Sequence, residues 1–208
     1  MSKRIGIYAG TFDPIHSGHV AFALQAVEAG SLDEIYFLPE RRPRGKPQVE
    51  HFAHRVAMVK RALKPHPLFN VLELVDISFS VQRTLPALRK HFMGDQLVFL
   101  FGSDVILGLL SWPNADHLLR EGELIIGLRG DDDRETLKHI VDQWPIQPKA
   151  VTIFDSYAPK VSSGKVRSAL RKHQPISGLL SSVERYSDHH WLYVSLARVD
   201  TPRNSLLE

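Results

Sequence analysis

Cysteine is absent from this 208-residue chain. No disulfide framework and no thiolate metal site can form, so zinc–cysteine architectures are excluded and the expected compartment is a reducing cytoplasm. Long apolar runs are missing as well. Nothing approaches the ~18 residues needed to cross a bilayer, and Met1-Ser-Lys-Arg leads straight into a strand, so a soluble, unexported protein without a membrane partner is expected. No G-x-x-x-x-G-K-[ST] occurs, because Gly164-Lys165 lacks the upstream glycine and the following Ser or Thr, and no G-x-G-x-x-G follows the first strand. Neither a P-loop nor a dinucleotide fingerprint is present. A surplus of one charge is also lacking: 26 basic against 23 acidic residues leave +3, and the pI of about 9.2 accompanies acidic residues spread along the chain. A small phosphate-rich ligand accounts for this balance as well as a polymer does, and no nucleic-acid partner is expected.

What is present is ordinary for a globular enzyme, with 43% hydrophobic and 24% charged residues. The length fits one large domain, or one with a small appendage. We expect a single domain over 1–208 whose part from about 165 onward is helical and forms a small C-terminal subdomain. Arg4 to Ala9 reads as a buried strand, a helical pattern runs from about Gly18 to Ala29 until Gly30 stops it, and Asp33 to Leu38 is the next strand. A right-handed crossover makes those two strands parallel. Pro39 to Glu50 is a Pro/Arg/Gly-rich loop, a candidate lid, before helical spacing resumes from His51 to Leu63. Further strands are expected at Asn70–Val75, Leu97–Phe101, Glu123–Leu128 and Ala150–Phe154. This alternation predicts an α/β fold, a doubly wound, Rossmann-like parallel sheet with helices on both faces. Asp131-Asp-Asp-Arg-Glu reads as a solvated, acidic helix start without a catalytic role.

In such a sheet ligands bind beyond the carboxyl ends of the strands. The segment Gly10-Thr-Phe-Asp-Pro-Ile-His16-Ser-Gly-His19 occupies that place after the first strand. Gly10 permits close backbone approach, Thr11 and Phe12 offer main-chain N–H groups, and the following helix turns its positive end toward anions. His16 and His19, three apart at a helix entrance, can face one ligand, with Gly18 leaving room for a phosphate chain. Helix capping or simple surface placement is the plainer reading of an isolated His pair, and placement after the first strand favours the ligand. A zinc site has an incomplete ligand set here, and no protein metal ligand is assigned.

This segment resembles the G-x-F-D-P-x-H-x-G-H signature of the adenylyltransferases of coenzyme biosynthesis, relatives of class I aminoacyl-tRNA synthetases. Within that superfamily the chain is most similar to the bacterial nicotinate-mononucleotide adenylyltransferases, in patches over nearly its full length. The resemblance implies transfer of AMP from ATP to nicotinate mononucleotide, with Mg²⁺ accompanying ATP, in-line attack at the α-phosphorus and pyrophosphate release. It makes His16, His19, Lys46 and Arg167 the catalytic set. Val161-Ser-Ser-Gly-Lys-Val-Arg167 stands at the family's I-S-x-T-x-I-R motif, so Ser162 and Ser163 are expected on the phosphates, with helix capping as a compatible alternative. Gly102 and Asp104 of Phe101-Gly-Ser-Asp104 are expected beside the adenosine, unless Asp104 is an N-cap, and Arg129 near the nucleotide. Ser111-Trp112 and Thr84 fall on the acceptor side, where Trp112 is either a platform for the pyridine or core.

The chain departs from the family at Gly45, which replaces the His of P-P-H-[KR]. Val81 and Gln82 replace the Tyr and first Thr of S-Y-T-x-x-T-L, and Gly164 replaces a Thr. Three of these departures fall on the acceptor side, so another phosphate acceptor, such as nicotinamide mononucleotide or phosphopantetheine, remains an alternative. A catalytically silent nucleotide-binding paralogue is a second alternative. Arg41, Arg42 and Arg44 are read as drawing anions or as a solvated face, Arg55 to Met58 and Val183 to Tyr193 as architecture, and a homo-oligomer as compatible.

Overall fold

Ile5 and Ile7 point to one face of strand β1 (Arg4–Gly10) and Tyr8 to the other, and all three are buried, as a central strand of a parallel sheet requires. The computed structural model describes residues 2–76, 78–130, 132–157 and 161–194. β1 pairs in parallel with β2 (Glu34–Pro39), which pairs with β3 (Phe69–Val71). On its other side β1 pairs with β4 (Gln96–Gly102), followed by β5 (Glu123–Leu128) and β6 (Val151–Asp155). The order β3-β2-β1-β4-β5-β6 makes a six-stranded, wholly parallel sheet whose winding reverses between β1 and β4. The crevice beyond the carboxyl ends of those two strands is where such sheets bind ligands.

Helices cover both faces, so the doubly wound α/β arrangement is present. α1 (Ser17–Gly30), α2 (Phe52–Leu63) and α8 (Ser181–His189) cover the face where Tyr8, Phe37, Met58, Val98 and Ile125 pack. α3 (Val81–His91), α4 (Ser103–Leu109), α5 (Ala115–Glu121) and α6 (Arg134–Asp142) cover Ile5, Ile7, Phe99 and Ile126. The alternation is plain in β4, where Val98 and Leu100 enter the first cluster and Leu97, Phe99 and Phe101 the second. α7 (Ser163–Lys172) follows β6. α8 lies on α2, and Val183, Leu192 and Tyr193 enter the same buried cluster as Ile15.

Two boundaries differ from the sequence expectation by more than one residue. β3 ends at Val71 rather than Val75: only Leu72 N still donates to Phe37 O, Leu74 O turns to accept from Arg41 Nε, and Val75 projects into solvent. An edge strand with one partner is easily diverted in this way. The helix expected from Asp131 starts at Arg134, because Asp133 caps it by accepting from Thr136 N at 2.7 Å. Asp131 itself lies outside the described residues, as does the 195–208 portion of the expected C-terminal helical part.

Candidate active site

β1 ends at Gly10 and α1 begins at Ser17, which makes His16 the extended N-cap residue and puts His19 in the first helical turn. The two rings stack at a centroid separation of 3.8 Å and an interplanar angle of 29°. His16 N donates to His19 Nδ1 at 3.2 Å, so the capping reading holds in part. That bond assigns the proton of neutral His19 to Nε2. Phe12 meets His19 edge-on at 5.1 Å. Burial pushes the His16 imidazole down to about 4, helped by the Arg129 charge. Burial also drives His19 well below its ordinary range, followed by His16, Arg129 and Lys46. Both rings are therefore neutral, and a polyanion is the ligand that would accept their N–H hydrogen bonds and favour their protonation.

Gly18 lines the cavity and has a steric role besides. A Cβ there would stand 3.0 Å from His16 Nδ1 and 3.2 Å from Val161 Cγ1, so the missing side chain makes room for the His16 ring. Gly10 likewise makes room for Phe12, and Gly102 for Asp104 and Arg129. Each glycine lines the cavity, yet the volume it frees is filled by a site side chain.

The remaining cations come from separate elements. Ser162 caps α7, accepting from Lys165 N at 3.3 Å, and Ser163 Oγ donates to Pro14 O at 3.0 Å, which joins α7 to the histidine loop. Arg167, one turn on, donates through Nη1 to Asp13 O at 2.5 Å and stands 3.6 Å from Asp13 Oδ2. Lys46 reaches across from the loop after β2 to donate to Thr11 Oγ1 at 3.0 Å. Arg41, Arg42 and Arg44 do not line the cavity, and the Arg41 guanidinium lies 4.3 Å over the Phe52 ring.

Arg55 holds this loop in place. Its side chain is fully buried, donating from Nε to Glu50 O at 2.8 Å, from Nη1 to Thr11 O at 2.6 Å and from Nη2 to Arg41 O at 3.0 Å. One planar guanidinium thus ties both ends of the candidate lid to the histidine loop, geometry that a lysine lacks.

On the β4 side, Gly102 is the N-cap of α4, and Asp104 sits in its first turn, where it pairs with Arg129 Nη1 at 3.2 Å. Asp104 therefore does not cap. Buried Ser103 accepts from Arg129 N at 3.1 Å and donates to Asp132, fixing the strand end on which Arg129 stands.

Gly10, Thr11, Phe12, His16, Gly18, His19, Lys46, Gly102, Asp104, Arg129, Ser162, Ser163 and Arg167 line one open cavity of about 840 Å³ at the β1/β4 reversal. That volume accommodates a nucleotide. Thr84, Ser111 and Trp112 lie outside its lining. Thr84 is wholly buried, accepting from Ser80 N at 3.0 Å and donating to Asp76 at 3.2 Å. Ser111 Oγ donates to Gly108 O at 2.6 Å, and Trp112 packs between Phe79 and Phe101. Phe79 borders a much smaller hollow that shares Ala9 and Glu40 with the large cavity.

Sequence reasoning missed Asp13 and Arg55 as site-building residues. Asp13 was visible inside the motif, but its burial at 1% exposure was not. Arg55 reads from sequence only as architecture, and its three carbonyl partners reveal the clamp.

Residues 7–169 match the cytidylyltransferase-like family model. A nicotinate-nucleotide adenylyltransferase of Bacillus subtilis strain 168 is 32% identical over 93% of this chain and all of its own length. Among solved structures, the nicotinic acid mononucleotide adenylyltransferase of Plasmodium falciparum complexed with NaAD superposes with a TM-score of 0.76 at 22% identity, covering 92% of this chain and 97% of that one. The same Plasmodium enzyme complexed with APC gives 0.75 at 21% identity, with the same coverage of both chains.

Proposed function

This chain belongs to the cytidylyltransferase-like family, and from that premise we propose that it transfers AMP from ATP to nicotinate mononucleotide, giving deamido-NAD and pyrophosphate. The observation that carries the reading is the stacked His16–His19 pair sharing one cavity with Lys46, Arg129 and Arg167. Neutral imidazoles and fixed cations around a switch-point crevice suit a triphosphate, whose charge shifts toward the leaving pyrophosphate during transfer.

An oxygen of the acceptor's phosphate attacks the α-phosphorus in line. The new P–O bond forms as the bond to the β-phosphate's bridging oxygen breaks, and pyrophosphate leaves with that electron pair. No general base is needed, because a nucleotide phosphate is already ionised. His19 donates from Nε2–H to the phosphate oxygens, His16 stands behind it, and Lys46 and Arg167 hold the β- and γ-phosphates against α7. Positioning and charge neutralisation do the catalytic work.

Among the described residues no three His, Asp or Glu side chains converge as a metal cage. Mg²⁺ fits as a companion of the nucleotide, which would supply most of its oxygen ligands, and its contribution is to neutralise the triphosphate. No described helix is long and apolar enough to cross a membrane. A cytoplasmic location agrees with that and with the lack of cysteine.

Incubation with ATP, Mg²⁺ and separate acceptors, followed by pyrophosphate detection and product mass, tests the reading. Deamido-NAD is the expected product. Turnover confined to nicotinamide mononucleotide or phosphopantetheine would replace the acceptor, and ATP binding without any pyrophosphate would replace the reaction.

A further inference from the structure

The Asp13 carboxylate is buried between two demands. Oδ1 accepts from the Tyr193 hydroxyl at 2.7 Å and from Glu50 N at 3.3 Å, while Oδ2 has no hydrogen-bond partner and faces Arg167 at 3.6 Å. Arg167 is already bound to the same residue's carbonyl. A carboxylate this close to a guanidinium tends toward the two-pronged pair that planar arginine favours. Were it to form, the guanidinium would have few donors left for a phosphate.

Tyr193 opposes that rotation. It is 9% exposed, at φ +62°, in a segment anchored independently of the cavity. Leu192 N donates to Ser187 O at 2.9 Å, and α8 is tied to α2 by the bond of 2.9 Å between His54 Nδ1 and the Tyr186 hydroxyl. The left-handed backbone at a non-glycine residue is a strained conformation held by its surroundings. It aims the phenol at Asp13.

We propose that Tyr193 is a positioning residue of the nucleotide site, holding the Asp13 carboxylate away from Arg167 so that the guanidinium stays available to the triphosphate. The proposal rests on the reading of this cavity as an ATP site. Tyr193 does not line the cavity. It acts through Asp13, and the same Asp13 oxygen receives Glu50 N, so the carboxylate also sets where the lid loop rejoins α2.

The test measures ATP affinity by calorimetry in the wild type, Tyr193→Phe, Arg167→Ala, the combination of those two, and Asp13→Asn with Tyr193→Phe. Tyr193→Phe keeps the ring that fills the core and is expected to weaken ATP binding about tenfold, in line with one hydrogen bond to a charged group. KM for the acceptor should stay unchanged. The loss should vanish when Arg167 is already alanine, and adding Asp13→Asn should restore most of it, because a neutral amide cannot capture the guanidinium. An equal loss in the Arg167→Ala background marks a packing effect and overturns the proposal, as does unchanged ATP affinity in Tyr193→Phe. Should that variant fail to fold, Asp13→Asn alone is compared with the wild type: ATP affinity that is equal or tighter supports the proposal and a tenfold loss defeats it. Wild type that binds ATP yet forms no product with nicotinate mononucleotide defeats the functional reading alone. The affinity cycle then still decides the role of Tyr193.

Discussion

His16 and His19 stack at 3.8 Å with neither ring charged. In the unfolded chain each imidazole titrates near its ordinary 6.5, whereas in the fold His16 does so at about 4 and His19 well below 6.5. The unfolded state therefore takes up protons first as pH falls. Stability is full above about pH 6.5 and declines toward pH 4, by up to about 1.4 kcal/mol per pH unit for each proton. Thermal midpoints measured from pH 7.5 to 4.5 should fall in wild type and fall less in His16→Gln. Parallel curves for the two proteins would contradict the assignment.

His19→Ala removes the Nε2–H donor and the acceptor for His16 N. Turnover should drop about 10²–10³-fold, the usual cost of one preorganised electrostatic contact, while circular dichroism stays native. Near-normal turnover would sink the proposed mechanism.

Gly18→Ala places a methyl 3.0 Å from His16 Nδ1 and 3.1 Å from Cε1, so the ring must tilt off His19. A displaced catalytic group of this kind costs about 10–100-fold in rate. The measurement is kcat alongside the unfolding midpoint, and a stable protein with intact kcat would show that the stack is dispensable.

Arg55→Lys keeps the buried charge but cannot span Thr11 O, Arg41 O and Glu50 O together. Leaving buried carbonyls unpaired should cost about 1–3 kcal/mol per group, read by urea unfolding. Limited proteolysis should also cut faster between Arg41 and Glu50, and an unchanged cleavage rate would mean that the clamp does not hold the loop.

The parallel sheet and the loop after β1 are legible in the sequence because both are local patterns: apolar runs of strand length, and a motif of fixed spacing at a strand end. Residues such as Lys46 and Arg167 are reachable through resemblance, since their motifs are contiguous. What the sequence hides is volume and long-range pairing. Gly18 reads as space for a ligand, and only the folded chain shows a neighbouring side chain in that space. Thr84 reads as a contact residue, yet its hydroxyl is already occupied by Ser80 N and Asp76. The end of β3 is hidden because Leu72 to Val75 is apolar enough for a strand, while Arg41 supplies a competing partner for Leu74 O.

The bond from Tyr193 to Asp13 spans 180 positions. A contact of such sequence separation closes late, because the chain entropy of bringing its ends together must be overcome before the bond can form. During synthesis the β1 loop therefore emerges long before its last anchor, and Phe12 and Ile15 wait for the residues that cover them. The nucleotide site is then among the last parts of the molecule to mature. A partly made chain can own the whole histidine motif and still lack the residue that holds Asp13 in place.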